Sequence, residues 1–322
     1  MISQKLMRIL KFVLIPKEDE KSAFEAARKS PRFNDRKASC INLIQRAFRS
    51  LNPGFLARFK SRFFIFLGYI LMTHFAFAET AFRSGTDSLP KVLVLIIASD
   101  DKTYYVEEQN IWRSYMHLDP KHVEAYFIKG SPNLEEPYSV IEDEIWSKNI
   151  ENYIPGILNK TLLSMEALLP RLDEFDYVLR TNLSSFYYFP KLLEFLKELP
   201  PTECYSAVVG NYNGKFGSGA GIIFSSDLVK LMVDHKAELI DHPLPDDVAI
   251  GRFLLQRNIG IIPAKRLDFP SYKAFVKHRN EKLSKHYHFR LKHDKEHLRY
   301  TEEIDLQKLF REMFYGVQQE LP

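Results

Sequence analysis

The stretch DYVLRTNLSSFYYFP, Asp176 to Pro190, reads as a buried strand, a polar break and the start of a helix. Tyr177, Val178 and Leu179 suit a strand interior, and Pro190 suits a first helical turn, where its missing N–H costs nothing. In open α/β sheets ligands gather at the carboxyl ends of strands. Asn182, Leu183, Ser184 and Ser185 stand at that end here: an amide, a leucine and two hydroxyls.

Outward from this stretch the same grammar repeats. KVLVLIIASD (Lys91 to Asp100) is a continuous apolar strand ending in polar residues, the usual opening of an α/β domain. A helical pattern from about Tyr104 to Met116 precedes a second strand, HVEAYFIKG, which Gly130 ends. The acidic segment NLEEPYSVIEDEIWSKNIENY leads to a helix opened by Pro155. After the opening stretch come the strand SAVVGNY, a glycine-rich run, a helix capped by Ser225 or Ser226, and a helix entered through Pro245, Asp246 and Asp247. This order predicts an α/β fold, a mostly parallel twisted sheet with helices on both faces.

The chain has 322 residues, of which 27% are charged, enough for one large domain or two small ones. Its net charge of +4 conceals an asymmetry, for residues 1–62 carry fifteen Lys and Arg against five Asp and Glu, leaving −6 on the rest. The run FFIFLGYILMTHFAFA at residues 63–78 follows that basic arm. It is somewhat shorter than the roughly twenty residues of a spanning helix, but ARFKSR before it and AFA at its end have the form of a signal peptide. The expectation is a basic arm at 1–62, a signal peptide or type II signal anchor at 63–78, a linker at 79–90 and one folded domain at 91–322. Such a protein is membrane-associated or exported. The arm contains no recognisable nucleic-acid module, and positive-inside orientation accounts for its charge. Cys40 and Cys204 are the only cysteines, which excludes a disulfide-dense scaffold.

Three constellations carry chemistry. Asp246 and Asp247 at a helix start are either a cap with a first-turn acid or a pair whose mutual charge tunes one carboxylate as a general base. GKFGSGAG, Gly214 to Gly221, is either a flexible turn or a place where backbone approaches a ligand closely. It has neither dinucleotide-fingerprint nor P-loop spacing. HYHFRLKHDKEH sets His286, His288, Arg290 and Lys292 at alternate positions, which an extended chain turns to one side as a cationic row suited to a diphosphate, or else as a solvated basic face. No cysteine pattern or HExxH supports zinc there.

Taken in order, these elements resemble the inverting β-1,3-glycosyltransferases of the galactosyltransferase and fringe type, a GT-A fold that uses a UDP-sugar. The resemblance runs from about Lys91 to His288. QNIWRSY, with Arg113, is similar to that family's opening βα unit. IWSKNIENYIPGILNKTLLSMEAL resembles its acidic segment and Lys-Thr helix, placing Lys160 near the donor. GSGAGIIFSSDLV, with Gly217, Gly219 and Gly221, looks like its acceptor-side strand, and LPDDVAIG is close to its Pro-Asp-Asp element, where the second acid is the base. DYVLRTNLSSF resembles the strand that ends in three aspartates, with Asn182, Leu183 and Ser184 in their place.

The resemblance implies an enzyme that transfers a hexose or N-acetylhexosamine to a glycan hydroxyl with inversion. Asp247 would be the base and Asp246 would orient it. Family members hold Mn²⁺ on the last aspartate of the trio, and a neutral Ser184 is a poor ligand for a hard dication. Metal dependence is therefore expected to be weak or absent, with His286 or His288 as the ligand if a metal is used. The leaving-group charge would fall to fixed cations among Lys160, Arg180, His288, Arg290 and Lys292, with hydrogen bonds from Asn182 and Ser184. Two competing expectations are a catalytically silent nucleotide-sugar or glycan binder on the same fold, and an interaction protein without a nucleotide site.

Overall fold

The computed structural model describes residues 89–212, 214–241, 244–278 and 282–316. The basic arm, the apolar run and most of the linker expected at 1–88 lie outside the described residues.

Strand β1 (Val92–Ile97) is flanked on one side by β2 (Val123–Gly130) and on the other by β5 (Tyr177–Asn182), both parallel to it. Its six residues are apolar throughout because both faces of the strand are covered. Helix α1 (Thr103–Met116) joins β1 to β2, and α2 (Gly156–Leu168) precedes β5. The chain thus builds outward from β1 in one direction and returns to start the other. That reversal is a topological switch point, and beyond the carboxyl ends of β1 and β5 lies the place where open α/β sheets take ligands.

The acidic segment, expected to be a connection, contains a hairpin, β3 (Tyr138–Ile141) and β4 (Glu144–Ser147), whose turn holds Glu142 at φ 52. In β4 the buried Ile145 and Ser147 alternate with half-buried Glu144 and Trp146. The acids at the turn mask that period of two in the sequence. After β5 come β6 (Ser185–Tyr187), α3 (Phe189–Leu196), β7 (Tyr205–Asn211), β8 (Lys215–Ser225), α4 (Ser226–Asp234), α5 (Lys236–Ile240) and α6 (Asp246–Gln256).

The main sheet has eight strands in the order β3-β4-β2-β1-β5-β8-β7-β9, with β9 at Ile262–Pro263. Parallel pairings are in the majority, and β8 runs antiparallel to both neighbours, so the sheet is mixed. A second sheet of three short strands joins β10 (Leu267–Asp268), β11 (His288–Arg290) and β6. Helix α7 (Tyr272–Lys277) lies between β10 and β11; α8 (Glu296–Leu298) and α9 (Ile304–Tyr315) end the described chain.

Helices cover both faces of the main sheet. On one side Trp112 and Tyr115 of α1 pack with Phe186, Phe289 and Phe310 of the small sheet and α9. On the other, Leu162 and Met165 of α2 pack with Met232 of α4 and Ile250 and Leu254 of α6. The α/β class read from the sequence is present, and the small sheet and α9 are what that reading did not contain.

One irregularity shapes the crevice. Between the pairs Ala207↔Ile222 and Val209↔Gly217, two steps along β7 face five along β8. Ser218 to Gly221 have no partner on β7 and form an enlarged bulge on that side, while Gly221 keeps its pairing with Thr181 of β5. The glycine-rich run is therefore part of a strand, and it bends over the end of β5.

Candidate functional site

The residues after β5 point in different directions. Leu183 is buried in the core, and its carbonyl accepts from Trp112 Nε1 at 3.0 Å and Gln307 Nε2 at 3.0 Å. Ser184 is buried too, and its hydroxyl accepts from Arg299 Nη2 at 2.9 Å. Only Asn182 of the three is turned toward Ser185, whose Oγ lies 3.2 Å from Asn182 Oδ1 and 2.8 Å from Ala220 O. Ser185, not Ser184, is thus the hydroxyl on the face of His288, whose Nε2 is 3.4 Å away.

This set does not fit Mn²⁺, which takes several oxygen ligands, carboxylates foremost. Leucine offers nothing, the Ser184 hydroxyl is held by a guanidinium, and Asn182 supplies one neutral amide. His288 stacks on Tyr187 at 4.4 Å between centroids. Burial, and then the charges of Arg266 and Arg290, push its imidazole well below the usual histidine range. His286 lies outside that stack, edge-on to Phe289. Among the described residues no three side chains of His, Cys, Asp and Glu gather as a metal site.

Arg180, on the opposite face of β5, organises the acidic pair. It is buried, with Nη2 donating to Asp246 Oδ2 and Nη1 to the Gly219 carbonyl. Asp246 is buried as well, and burial raises its carboxyl above the usual range against the pull of Arg180. Asp247 is half-buried. Its Oδ2 accepts from Gly219 N–H at 2.9 Å and its Oδ1 from Val248 N–H at 2.9 Å. At the head of α6 the helix dipole also favours its negative charge. A side chain at Gly219 would place Cβ 2.7 Å from Arg180 Nη1 and 3.0 Å from Asp247 Oδ2, so glycine permits this contact. Gly221 has the corresponding role against Tyr187 and His288, while Gly217 N–H donates to Tyr205 Oη at 2.6 Å.

Two expected donor ligands are held elsewhere. Lys160 is buried, donating to Ala98 O at 2.7 Å and to both oxygens of Glu151 at 2.9 and 2.8 Å. Burial lowers its ammonium below the usual lysine value. Arg113 is paired with Asp143 at 2.9 Å and Glu144 at 2.7 Å and lies over the Phe127 ring. Lys129 links Glu144 to Asp100 beyond the end of β1.

The late basic segment is extended as its alternation suggested. Tyr287, Phe289 and Leu291 are buried, so His288, Arg290 and Lys292 take the other face. Arg290 lies directly opposite Ser185 in the β11–β6 ladder, which puts both side chains on one side. The ladder continues one step with Leu291 N–H donating to Ser184 O at 2.8 Å.

Sequence reading missed Arg266, Arg299 and Tyr153, and it placed Ser185 at the end of β5 without giving it a role. Arg266 reaches Ser218 of the bulge at 3.0 Å. Tyr153, 63% exposed, lies within the field of Asp247 and Asp246; burial of part of the ring and then those two charges raise its phenol. Ser185 had a signal, since it sits next to the trio. Arg299 had none, because its partner is 115 residues away.

No family model matches the chain, and no curated protein matches it.

Proposed function

We propose that the domain transfers a glycosyl group from a UDP-sugar to a glycan hydroxyl with inversion, on a GT-A-like scaffold. The observation that carries this reading is Asp247: a half-buried carboxylate oriented by two backbone N–H groups, at the carboxyl edge of the sheet, beside a bulged glycine strand. It has the freedom a base needs, because neither of its oxygens is tied to a cation among the described residues. Asp246 is bound to Arg180, so its part is to fix the head of α6 and the angle of Asp247.

In the proposed step the acceptor hydroxyl attacks the anomeric carbon from the face opposite the nucleotide. Asp247 takes the hydroxyl proton, the new C–O bond forms, and the old bond breaks with its electron pair passing to the diphosphate. Asn182 offers hydrogen bonds at the end of β5, with the buried Ser185 hydroxyl held on Ala220 O behind it, and Tyr153 offers an exposed ring within the field of the base. The basic arm and apolar run at 1–78 fit a protein held at a membrane or exported, a proposal that rests on sequence alone.

The competing reading, a silent binder on this scaffold, has one observation in its favour: Lys160 and Arg180 are both satisfied inside the protein. The deciding experiment incubates the purified protein with a UDP-sugar panel and mixed glycan acceptors and follows UDP release. Acceptor-dependent release that Asp247→Asn lowers by about 10²-fold or more supports the enzyme. UDP binding with no release from any donor supports the binder.

A further inference from the structure

We infer that the diphosphate of the nucleotide is held by two fixed cations, Arg290 and Lys292, in the place where a divalent ion would otherwise be required. This rests on the nucleotide-sugar reading and specifies its donor site.

The cations near the carboxyl ends of β1 and β5 divide by partner. Arg180 is bound to Asp246, Lys160 to Glu151, Arg113 to Asp143 and Glu144, Arg266 to Asp268 and Arg299 to Glu303. Arg290 and Lys292 make no ion pair with any described residue. Arg290 stands on β11 across the ladder from Ser185, whose hydroxyl contacts Asn182, and Lys292 follows two residues on, just past the strand and exposed. The two therefore flank the polar end of β5, at the switch point where an anionic ligand would lie.

Their surroundings are unbalanced in charge. Arg266, Arg290, Lys292 and Arg299 adjoin one another, and Asp268 and Glu303 are the close partners of Arg266 and Arg299. The third acid of the group, Glu108, is wholly buried 3.6 Å from Arg299; that burial, and then its contact with Glu303, push its carboxyl well above the usual range. Four cations thus stand among three acids. Burial and the neighbouring guanidiniums press Arg290 and Lys292 below their ordinary values, a strain that an anion between them would relieve. A surplus of positive charge in a half-covered crevice concentrates anions. Arginine meets phosphate oxygens through a planar fork and lysine as a point charge. Together they supply the neutralisation that the residues at 182–184 cannot obtain from a metal.

The test is calorimetric titration of the full chain with UDP in Mn²⁺ and then in EDTA, repeated on Arg290→Gln and Lys292→Gln. Neither side chain packs in the core, so circular dichroism and the melting temperature should match the wild type. The expected result is equal UDP affinity with Mn²⁺ and with EDTA, and a loss of roughly tenfold in each variant, the effect of removing one charge-assisted hydrogen bond. UDP binding that disappears in EDTA and returns with Mn²⁺ would overturn the clamp and leave the glycosyltransferase reading standing. Wild-type affinity in both folded variants would also overturn it. An absence of UDP binding in either condition would remove the clamp and the nucleotide-sugar reading together.

Discussion

Arg299 Nη2 donates to Ser184 Oγ at 2.9 Å, so a guanidinium touches the side chain at the position where the resembled family carries its metal-binding aspartate. Arg299 is itself anchored, with Glu303 at 2.8 Å and the Tyr104 ring 4.3 Å below it. A donor thus occupies the Ser184 hydroxyl, and the charge of that guanidinium is already met by Glu303.

Restoring the acid should not restore a metal. In Ser184→Asp the new carboxylate meets Arg299 first and forms an ion pair, since opposite charges at this separation favour pairing over solvation of either. The expected outcome is no Mn²⁺ binding in calorimetry up to about millimolar concentration, weak by the standard of protein sites for hard dications. Mn²⁺ binding at micromolar levels would show that Arg299 yields its place.

The raised carboxyl of Glu108 predicts a pH dependence of unusual sign. The folded state binds the proton more tightly than the unfolded chain, whose carboxyl titrates at about 4.3. Stability then falls as pH rises from that value toward the raised folded one, because the native state binds more protons over that window. Glu108→Gln keeps the shape but not the ionisation. Its melting temperature should gain on the wild type as pH rises above the unfolded carboxyl value, until the folded carboxyl has ionised. Parallel curves would remove Glu108 from this role.

Asp246→Asn leaves the buried guanidinium of Arg180 without its counter-charge. The expected cost is about 3–5 kcal/mol, and Arg180→Met in the same chain should recover a large part, because the cost lies in the unpaired charge. Chemical denaturation of the two single variants and the double variant measures this directly. A single-variant cost below about 1 kcal/mol would mean that water reaches Arg180.

Gly221→Ala should disturb the Tyr187–His288 stack, because the added Cβ meets Tyr187 Oη and lies 2.6 Å from His288 Cε1. Overpacking of this kind costs about 1–3 kcal/mol, or roughly 2–12 °C in melting temperature for a domain of this size. Thermal unfolding followed by near-ultraviolet circular dichroism would register both the loss and the displaced tyrosine.

How far the sequence could be read depended on the range of the interaction. β1, β2, β5 and α6 were legible because apolar continuity and a first-turn acid are local signals. The β3–β4 hairpin was not, since Glu142, Asp143 and Glu144 interrupt its alternation. Lys160 was placed near the donor by resemblance, whereas its partners Ala98 and Glu151 lie 62 and 9 residues off and hold it in the interior. Arg180 was read as a donor ligand, and nothing local showed that Asp246 would claim it across 66 residues. A side chain's freedom to meet a ligand depends on such distant partners, and no local pattern reports them.

The bulge in β8 has a consequence for how such a protein can change. Because Ser218 to Gly221 have no partner on β7, side chains hold that backbone instead: Arg180 and Asp247 on Gly219, and Thr181, Ser185 and Tyr187 on the Ala220 carbonyl. Insertions or deletions there would draw Gly219 away from Asp247. The fold thus ties the length of this segment to the orientation of the base, so a change of acceptor is open to side-chain replacement, as at Ser218, and closed to changes of length.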